Sequence, residues 1–252
     1  MDQSALYGKQ EFNLPHDVVS LPSKGLFYPS KKSSLKVGFL TAFDENILMS
    51  QNNSKDGVIH TLLRHKIYEP NFSVDQLLDV DISAILIFLR NTAFGPEYEY
   101  TLTDPATKKQ FEVSIVIDEL KYLDPTHTPD SEGYFETTLP KTGKKVKVKL
   151  LTWGELKEID KIVEKYPKGM IAPIVTKKLE HQIVEIEGNR DKGQIANFIV
   201  NMPIMDSKHI KKFVQECEPS IDLKQEVTAP SGEKVTFNVS FGVEFFRPFF
   251  AV

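Results

Sequence analysis

The feature that most constrains the fold is a helix-then-hairpin pattern over residues 79–115, because a similar pattern returns over residues 206–241. An offset of 125 residues (206 minus 81) aligns the two stretches, and a single extra residue in the second turn extends the match. The aligned pairs are Asp81 with Asp206, Ile85 with Ile210, Phe88 with Phe213, Thr103 with Thr228, Pro105 with Pro230, Val113 with Val239 and Ser114 with Ser240. Self-similarity at a fixed offset indicates a duplicated unit. The pattern therefore predicts an α+β protein with two similar lobes.

The first copy also predicts its own local structure. Apolar residues recur at helical spacing from Ile82 to Ala93, and they are numerous enough to bury the helix on most sides. Gly95 is placed for the left-handed C′ position after the last turn, and Pro96 cannot continue a helix. Alternating apolar residues on both sides of the turn at 104–109 then predict a β-hairpin.

The lobes also resemble each other where they begin. An offset of 111 residues (148 minus 37) aligns a short alternating strand and the start of a helix in each half. The pairs are Val37 with Val148, Leu40 with Leu151, Thr41 with Thr152 and Asp44 with Glu155. Thr152 and Glu155 form a full capping-box pattern, and Thr41 with Asp44 is a near relative of it. Each lobe is therefore predicted to contain a first strand, helices and a β-hairpin. Helices are predicted over 153–166, 174–186 and 194–201.

The boundaries follow from composition. We expect an extended N-terminal arm over 1–30, a first lobe over 31–123, a linker over 124–140 and a second lobe over 141–252 with an aromatic tail. The linker assignment depends on the richness of 124–140 in Pro, Thr and acidic residues.

Both ends of the chain hold apolar side chains in stiff segments. Prolines and a glycine fix the arm sequence L-P-S-K-G-L-F-Y-P. Such a segment is either a strap across the protein's own core or a docking arm for a partner. The C-terminal tail either packs across the protein's own core or inserts into another protein. Pro248 disfavours a central strand there. The candidate partner-binding residues are Leu21, Pro22, Lys24, Gly25, Phe27, Tyr28 and Pro29 in the arm and Phe245, Phe246, Pro248, Phe249 and Phe250 in the tail.

Composition excludes several classes of protein. The chain has 252 residues, 40% of them hydrophobic, with a net charge of −4, which disfavours a dedicated nucleic-acid binder. A single Cys217 excludes an intrachain disulfide and a cysteine-rich zinc site. The first residues lack a signal-peptide pattern, and no apolar run approaches the roughly 18 residues of a membrane span. We expect a soluble intracellular protein.

The sequence predicts no catalytic, cofactor or metal site. Phosphate-binding glycine loops and nucleophile motifs are missing. His60 and His65 lie five residues apart, which is not the spacing of a helical zinc pair, and Cys217 is predicted to be a core residue. Asp79 and Asp81 could suggest a cation site, but helix capping explains them without one.

One basic cluster stands out. Alternation with Val146 and Val148 predicts an edge strand whose lysines oppose stray pairing; the alternative is a phosphate-binding face. The lysines are Lys141, Lys144, Lys145, Lys147 and Lys149.

Three stretches are distinctive in combination: L-P-S-K-G-L-F-Y-P near the start, D-V-D-I-S-A-I-L-I-F-L-R-N-T-A-F-G-P-E-Y in the middle and F-F-R-P-F-F at the end. Together they resemble the baseplate hub assembly family of T-even-type, contractile-tailed phages, and the similarity spans nearly the whole chain. The resemblance implies a non-enzymatic protein required to build the central hub. Its partners would be hub proteins, the tape-measure protein or both, in the host cytoplasm during assembly.

The resemblance leaves two roles open. The chain would be either an assembly factor (chaperone) or a hub subunit retained in the virion. A nucleic-acid-associated phage factor that uses the basic strand is the competing class.

Overall fold

The computed structural model describes residues 15–50, 55–167, 169–241 and 245–246. In this part of the chain, seven helices and eleven short strands form an α+β fold, as the sequence predicts.

The first half runs from β1 to β5. Its strands are β1 (His16–Ser20), β2 (Ser34–Gly38), β3 (Glu97–Thr103), β4 (Gln110–Val116) and β5 (Tyr122–Leu123), and its helices are α1 (Ala42–Leu48), α2 (Lys55–Lys66) and α3 (Asp79–Phe94), with 3-10 turns at Val74–Gln76 and Ile117–Glu119.

The second half runs from β6 to β11. Its strands are β6 (Phe135–Thr138), β7 (Lys145–Val148), β8 (Ile183–Ile186), β9 (Ser220–Ile221), β10 (Lys224–Thr228) and β11 (Lys234–Asn238), and its helices are α4 (Trp153–Glu164), α5 (Ile174–Gln182), α6 (Lys192–Val200) and α7 (Ile204–Cys217).

All strand pairs are antiparallel. β1 pairs with β2, β3 with β4, and β10 with β11, while β6, β7 and β8 form a three-stranded sheet in that order. The short pair β5–β9 joins the two halves. β1 lies within the predicted arm and β6 within the predicted linker, and each pairs with the first strand of the lobe that follows it.

The halves share one hydrophobic core. α3 supplies much of it because nine of its sixteen residues are buried. Gly95 ends this helix as its C-cap, with φ 82° and ψ 170°, so its φ is positive but it does not adopt the predicted left-handed helical conformation. The buried Arg90 donates to the carbonyl oxygens of Gly95 and Glu97 just beyond it. Backbone bonds across the junction, such as Trp153 N–H to the Leu77 oxygen at 2.8 Å, fasten the second half to the first.

Three local predictions are wrong. The helix predicted over 174–186 ends at Gln182, because the β-branched run that follows forms β8 beside β7. The basic strand β7 is central rather than at an edge, since β6 and β8 cover both of its sides. The cap of α3 is Leu78, without a side-chain cap bond, so neither Asp79 nor Asp81 has the predicted capping role.

Candidate protein interface

The arm segment around residues 21–29 is anchored by a buried carboxylate. Asp81, in the first turn of α3, accepts a hydrogen bond from the Ser23 N–H at 3.0 Å and another from the Tyr28 hydroxyl. The same Tyr28 oxygen accepts from the Leu78 N–H at 3.0 Å. Burial raises the pKa of Asp81, and the bonds from Ser23 and Tyr28 offset that rise only in part. Burial and the neighbouring carboxylate likewise raise the pKa of Tyr28.

This anchor divides the predicted arm residues into two groups. Leu21, Gly25 and Tyr28 are buried in the protein's own core, and Pro22 and Phe27 are partly buried. Lys24 and Pro29 are exposed, and Lys24 Nζ lies 2.6 Å from Asp124 Oδ1. Only the exposed residues offer surface to a partner while the segment keeps this conformation.

Phe27 connects the arm to the second lobe. Its ring centroid lies 5.8 Å from that of Phe135 on β6. Gly25 makes the tight loop possible, because it adopts φ 71° and a Cβ there would lie 2.6 Å from the Lys32 carbonyl.

The second lobe contains a counterpart that the sequence reasoning missed. Between β6 and β7 runs L-P-K-T-G, where Asp206 of α7 accepts from the Lys141 N–H at 2.7 Å and the Thr142 N–H at 3.1 Å. The sequence does contain a signal for this counterpart, because the motif L-P-x-x-G occurs at 21–25 and again at 139–143. Each copy precedes one of the two strands that the 111-residue offset aligns. The first motif lies within the predicted arm, and the second spans the predicted boundary at 140.

The described part of the tail is also packed inside. Phe245 and Phe246 are buried, and the ring of Phe245 lies 5.0 Å from that of Tyr98. The guanidinium of Arg90 lies 5.6 Å from the centroid of Phe245. Pro248, Phe249 and Phe250 lie outside the described residues.

The two hairpins, β3–β4 and β10–β11, pack against each other. The rings of Tyr100 and Phe237 are 4.9 Å apart, and Asp104 in the first turn accepts from the Ser231 N–H and hydroxyl in the second. Burial acts to raise the pKa of Asp104, but the donors from Ser231, Thr107 and Ala106 together hold it below its ordinary value. Glu99 and Glu112 remain on the exposed face of the first hairpin.

A cleft of about 390 Å³ opens between the lobes. The start of α3 and residues of α4, α5 and β9 line it. Asp79, Glu218 and Lys178 are its charged residues. Both carboxylates are exposed at the rim, yet the walls remove enough water to raise the pKa of each, and Asp79 raises that of Glu218 further.

The remaining chemistry-bearing side chains have structural surroundings. His60 bonds to Asp75 at 3.1 Å and lies beside Trp153, and burial lowers its pKa. Cys217 is buried, which raises its pKa to about 12. Among the described residues, no group of three His, Cys, Asp or Glu side chains is placed to hold a metal ion. No helix in those same ranges is both long and apolar enough to cross a membrane.

The lysines of β7 are largely engaged by carboxylates. Lys147 Nζ lies 3.1 Å from Asp130, Lys145 Nζ lies 3.9 Å from Glu136, and Lys149 pairs with Glu155. Lys144 lies over the ring of Phe198 at 5.5 Å. These pairings neutralise much of the charge that a phosphate-binding face would need.

Comparison with known proteins defines the class. A family model described as T4 bacteriophage base plate protein matches residues 25–247. This range includes the first lobe over 31–123 and all but the last five residues of the second lobe over 141–252. The chain therefore belongs to this family, and its role lies in the phage baseplate. Neither the curated proteins nor the solved structures gave a match.

Proposed function

We propose that this chain is a non-enzymatic assembly factor for the central hub of the baseplate, a chaperone that binds hub proteins, the tape-measure protein or both. The observation that carries the proposal is the family match over residues 25–247, because it spans both lobes rather than one module. The charged groups of the inter-lobe cleft lie at an open rim, and the remaining chemistry-bearing side chains have structural partners. A role in holding other proteins therefore accounts for them without catalysis.

The proposed mechanism uses two lobes as one body. A shared core, the β5–β9 pair and the Asp104–Ser231 contact link the lobes at three places. One copy of the chain would therefore present two similar faces at a fixed separation, and could hold two segments or two copies of a partner. The exposed arm residues Lys24 and Pro29 and the tail beyond Phe246 are the proposed additional contacts.

The content of mature virions tests the role. Quantitative mass spectrometry of purified virions is expected to lack this chain, while a phage deleted for it is expected to lack complete hubs by electron microscopy. A stoichiometric amount in the virion would instead identify a hub subunit. Complete hubs in the deletion phage would overturn both roles.

Co-expression tests the partners. Tagged chain expressed with the hub and tape-measure proteins is expected to co-purify with at least one of them. Removing 247–252 leaves the buried Phe245 and Phe246 in place, so this truncation separates a tail contact from a folding defect. Unchanged capture by a truncated chain that melts normally would remove the tail from the mechanism.

A further inference from the structure

The cleft between the lobes has the composition of a binding site rather than of a packing defect. Its volume of about 390 Å³ falls within the roughly 300–1,000 Å³ of small binding pockets. Both lobes contribute to it, so an occupant would contact α3 and the second lobe at once.

The walls of the cleft are mainly aliphatic. Seven of the lining side chains share this character: Leu78, Val80, Leu150, Leu151, Leu156, Ile221 and Leu223. A wall of this kind gains free energy when it covers an apolar side chain, at roughly 25 cal/mol per Å² of buried surface.

The rim carries a net negative charge, which Lys178 offsets in part at Glu218. Asp79 comes from the first lobe and Glu218 from the second, whereas Lys178 is the one lysine or arginine lining the cleft. Within the described residues, neither carboxylate forms an ion pair, although each side chain is exposed and free to do so. The two acids repel each other across the cleft, and a cationic group from outside would remove that repulsion.

We infer that this inter-lobe cleft binds an extended segment of a partner protein in which an aliphatic side chain is followed by Lys or Arg. The aliphatic side chain lies against the leucine walls, and the cation lies between Asp79 and Glu218. The inference extends the proposed function, since it names the chemistry by which a baseplate partner is held. Because the segment contacts both lobes, its binding also favours the lobe arrangement described here.

A peptide titration on the purified full chain tests this without any phage partner. The probe is acetyl-LRLR-amide, and acetyl-LQLQ-amide is its neutral match. Amide NMR shifts are expected at Ser83 and Ser220, which line the cleft from the first and the second lobe. The neutral peptide is expected to bind at least tenfold more weakly.

Two variants with equal charge change complete the test. Asp79→Asn with Glu218→Gln is expected to weaken acetyl-LRLR-amide at least tenfold. Glu99→Gln with Glu112→Gln, on the exposed hairpin face, is expected to leave its affinity unchanged. Thermal melts establish that both variants fold.

Three results would overturn the inference: no shifts at the cleft, equal loss in both variants, or equal binding of both peptides. A truncation of 247–252 that itself tightens peptide binding would assign the cleft to the chain's own terminus instead of a partner. The assay is independent of hub assembly, so its failure leaves the proposed assembly role standing, and a failed assembly role leaves the peptide result standing.

Discussion

The two L-P-x-x-G loops are held in the same way but differ in length, 13 residues (21–33) against six (139–144). In each, the leucine N–H closes the loop, Leu21 to the Ser33 oxygen at 2.8 Å and Leu139 to the Lys144 oxygen at 2.9 Å. In each, the glycine has positive φ, 71° at Gly25 and 69° at Gly143. In each, a buried aspartate in the first turn of a helix binds the loop backbone.

The difference in length is a segment of the first loop that the second loop lacks. When the closing bonds are matched, seven residues, 26–32, have no counterpart in the second loop. They carry Tyr28 into the first core and Phe27 onto Phe135 of the second lobe. The second loop instead exposes Lys141 and Thr142. One anchoring device therefore serves a structural strap in one lobe and an ordinary turn in the other.

The largest expected difference between the lobes comes from removing the anchoring aspartates. Asp81→Ala leaves the Ser23 N–H and the Tyr28 hydroxyl without their acceptor in a buried site, and we expect a loss of about 3 kcal/mol of unfolding free energy. Asp206→Ala leaves the Lys141 and Thr142 N–H groups to water in a short surface loop, so we expect a loss of about 1.5 kcal/mol of unfolding free energy. Urea unfolding of both variants checks the order. Equal losses of unfolding free energy in the two variants would show that the longer first loop does not strengthen the contribution of its aspartate.

Tyr28→Phe isolates the contribution of the inserted segment. The ring stays, but Asp81 loses a donor and the Leu78 N–H loses its acceptor, so we expect a loss of about 2 kcal/mol. Tyr166→Phe, at an exposed tyrosine, should change stability by less than about 0.5 kcal/mol. In the double variant with Asp81→Ala the losses should not add, because both act on one network. Additive losses would contradict a shared network.

The two hairpin turns have different roles in their contact. Asp104 in the first turn supplies the acceptor, and Ser231 in the second turn supplies the donors. Asp104→Ala should speed hydrogen exchange in both turns, and Ser231→Ala only in the second. Because the folded-state pKa of Asp104 is lowered, its contribution is present above the unfolded value of about 3.9 and is lost as pH falls through the lower folded value. A protection factor at the Ser231 amide that stays constant down to pH 2 would refute this contact.

The smallest expected effect is a gain in stability at the cleft. The folded-state pKa values of Asp79 and Glu218 are raised, so their ionised forms disfavour folding at pH 7. Asp79→Asn with Glu218→Gln should therefore raise the melting temperature by about 1–2 °C, a modest shift because solvent screens exposed groups. The difference should shrink as pH falls through the raised pKa values. A lower melting temperature at pH 7 would contradict the repulsion.

We propose that the two lobes share a common ancestor. The matching loop closures, glycine conformations and anchoring aspartates of the two L-P-x-x-G loops support this proposal. We also propose that the lobes begin at β1 and β6, which moves their boundaries to before residues 31 and 141. A superposition in which α3 and its hairpin fail to match α7 and its hairpin would refute the duplication.

Local patterns predicted the regular elements well. The positions of α1, α3, α4 and both hairpins follow from periodicity, caps and turn residues, which act over a few residues of chain. The candidate interface was harder to predict. Tyr28 and Phe245 are candidate partner contacts in the sequence, yet both pack inside the protein. An aromatic side chain in a stiff segment gives the same sequence pattern whether it covers its own core or binds another protein.

The sequence by itself determined the α+β class and membership of a phage baseplate family, since these depend on periodicity and motif. It also predicts two similar lobes and the order of the elements in each. Only the tertiary structure decided that Asp81 and Asp206 anchor loops, that β7 is central, and that a charged cleft forms where the lobes meet. Each of these depends on residues tens of positions apart in the chain, such as the 58 that separate Ser23 from Asp81. Which of them become neighbours is fixed by packing, and no local pattern specifies it.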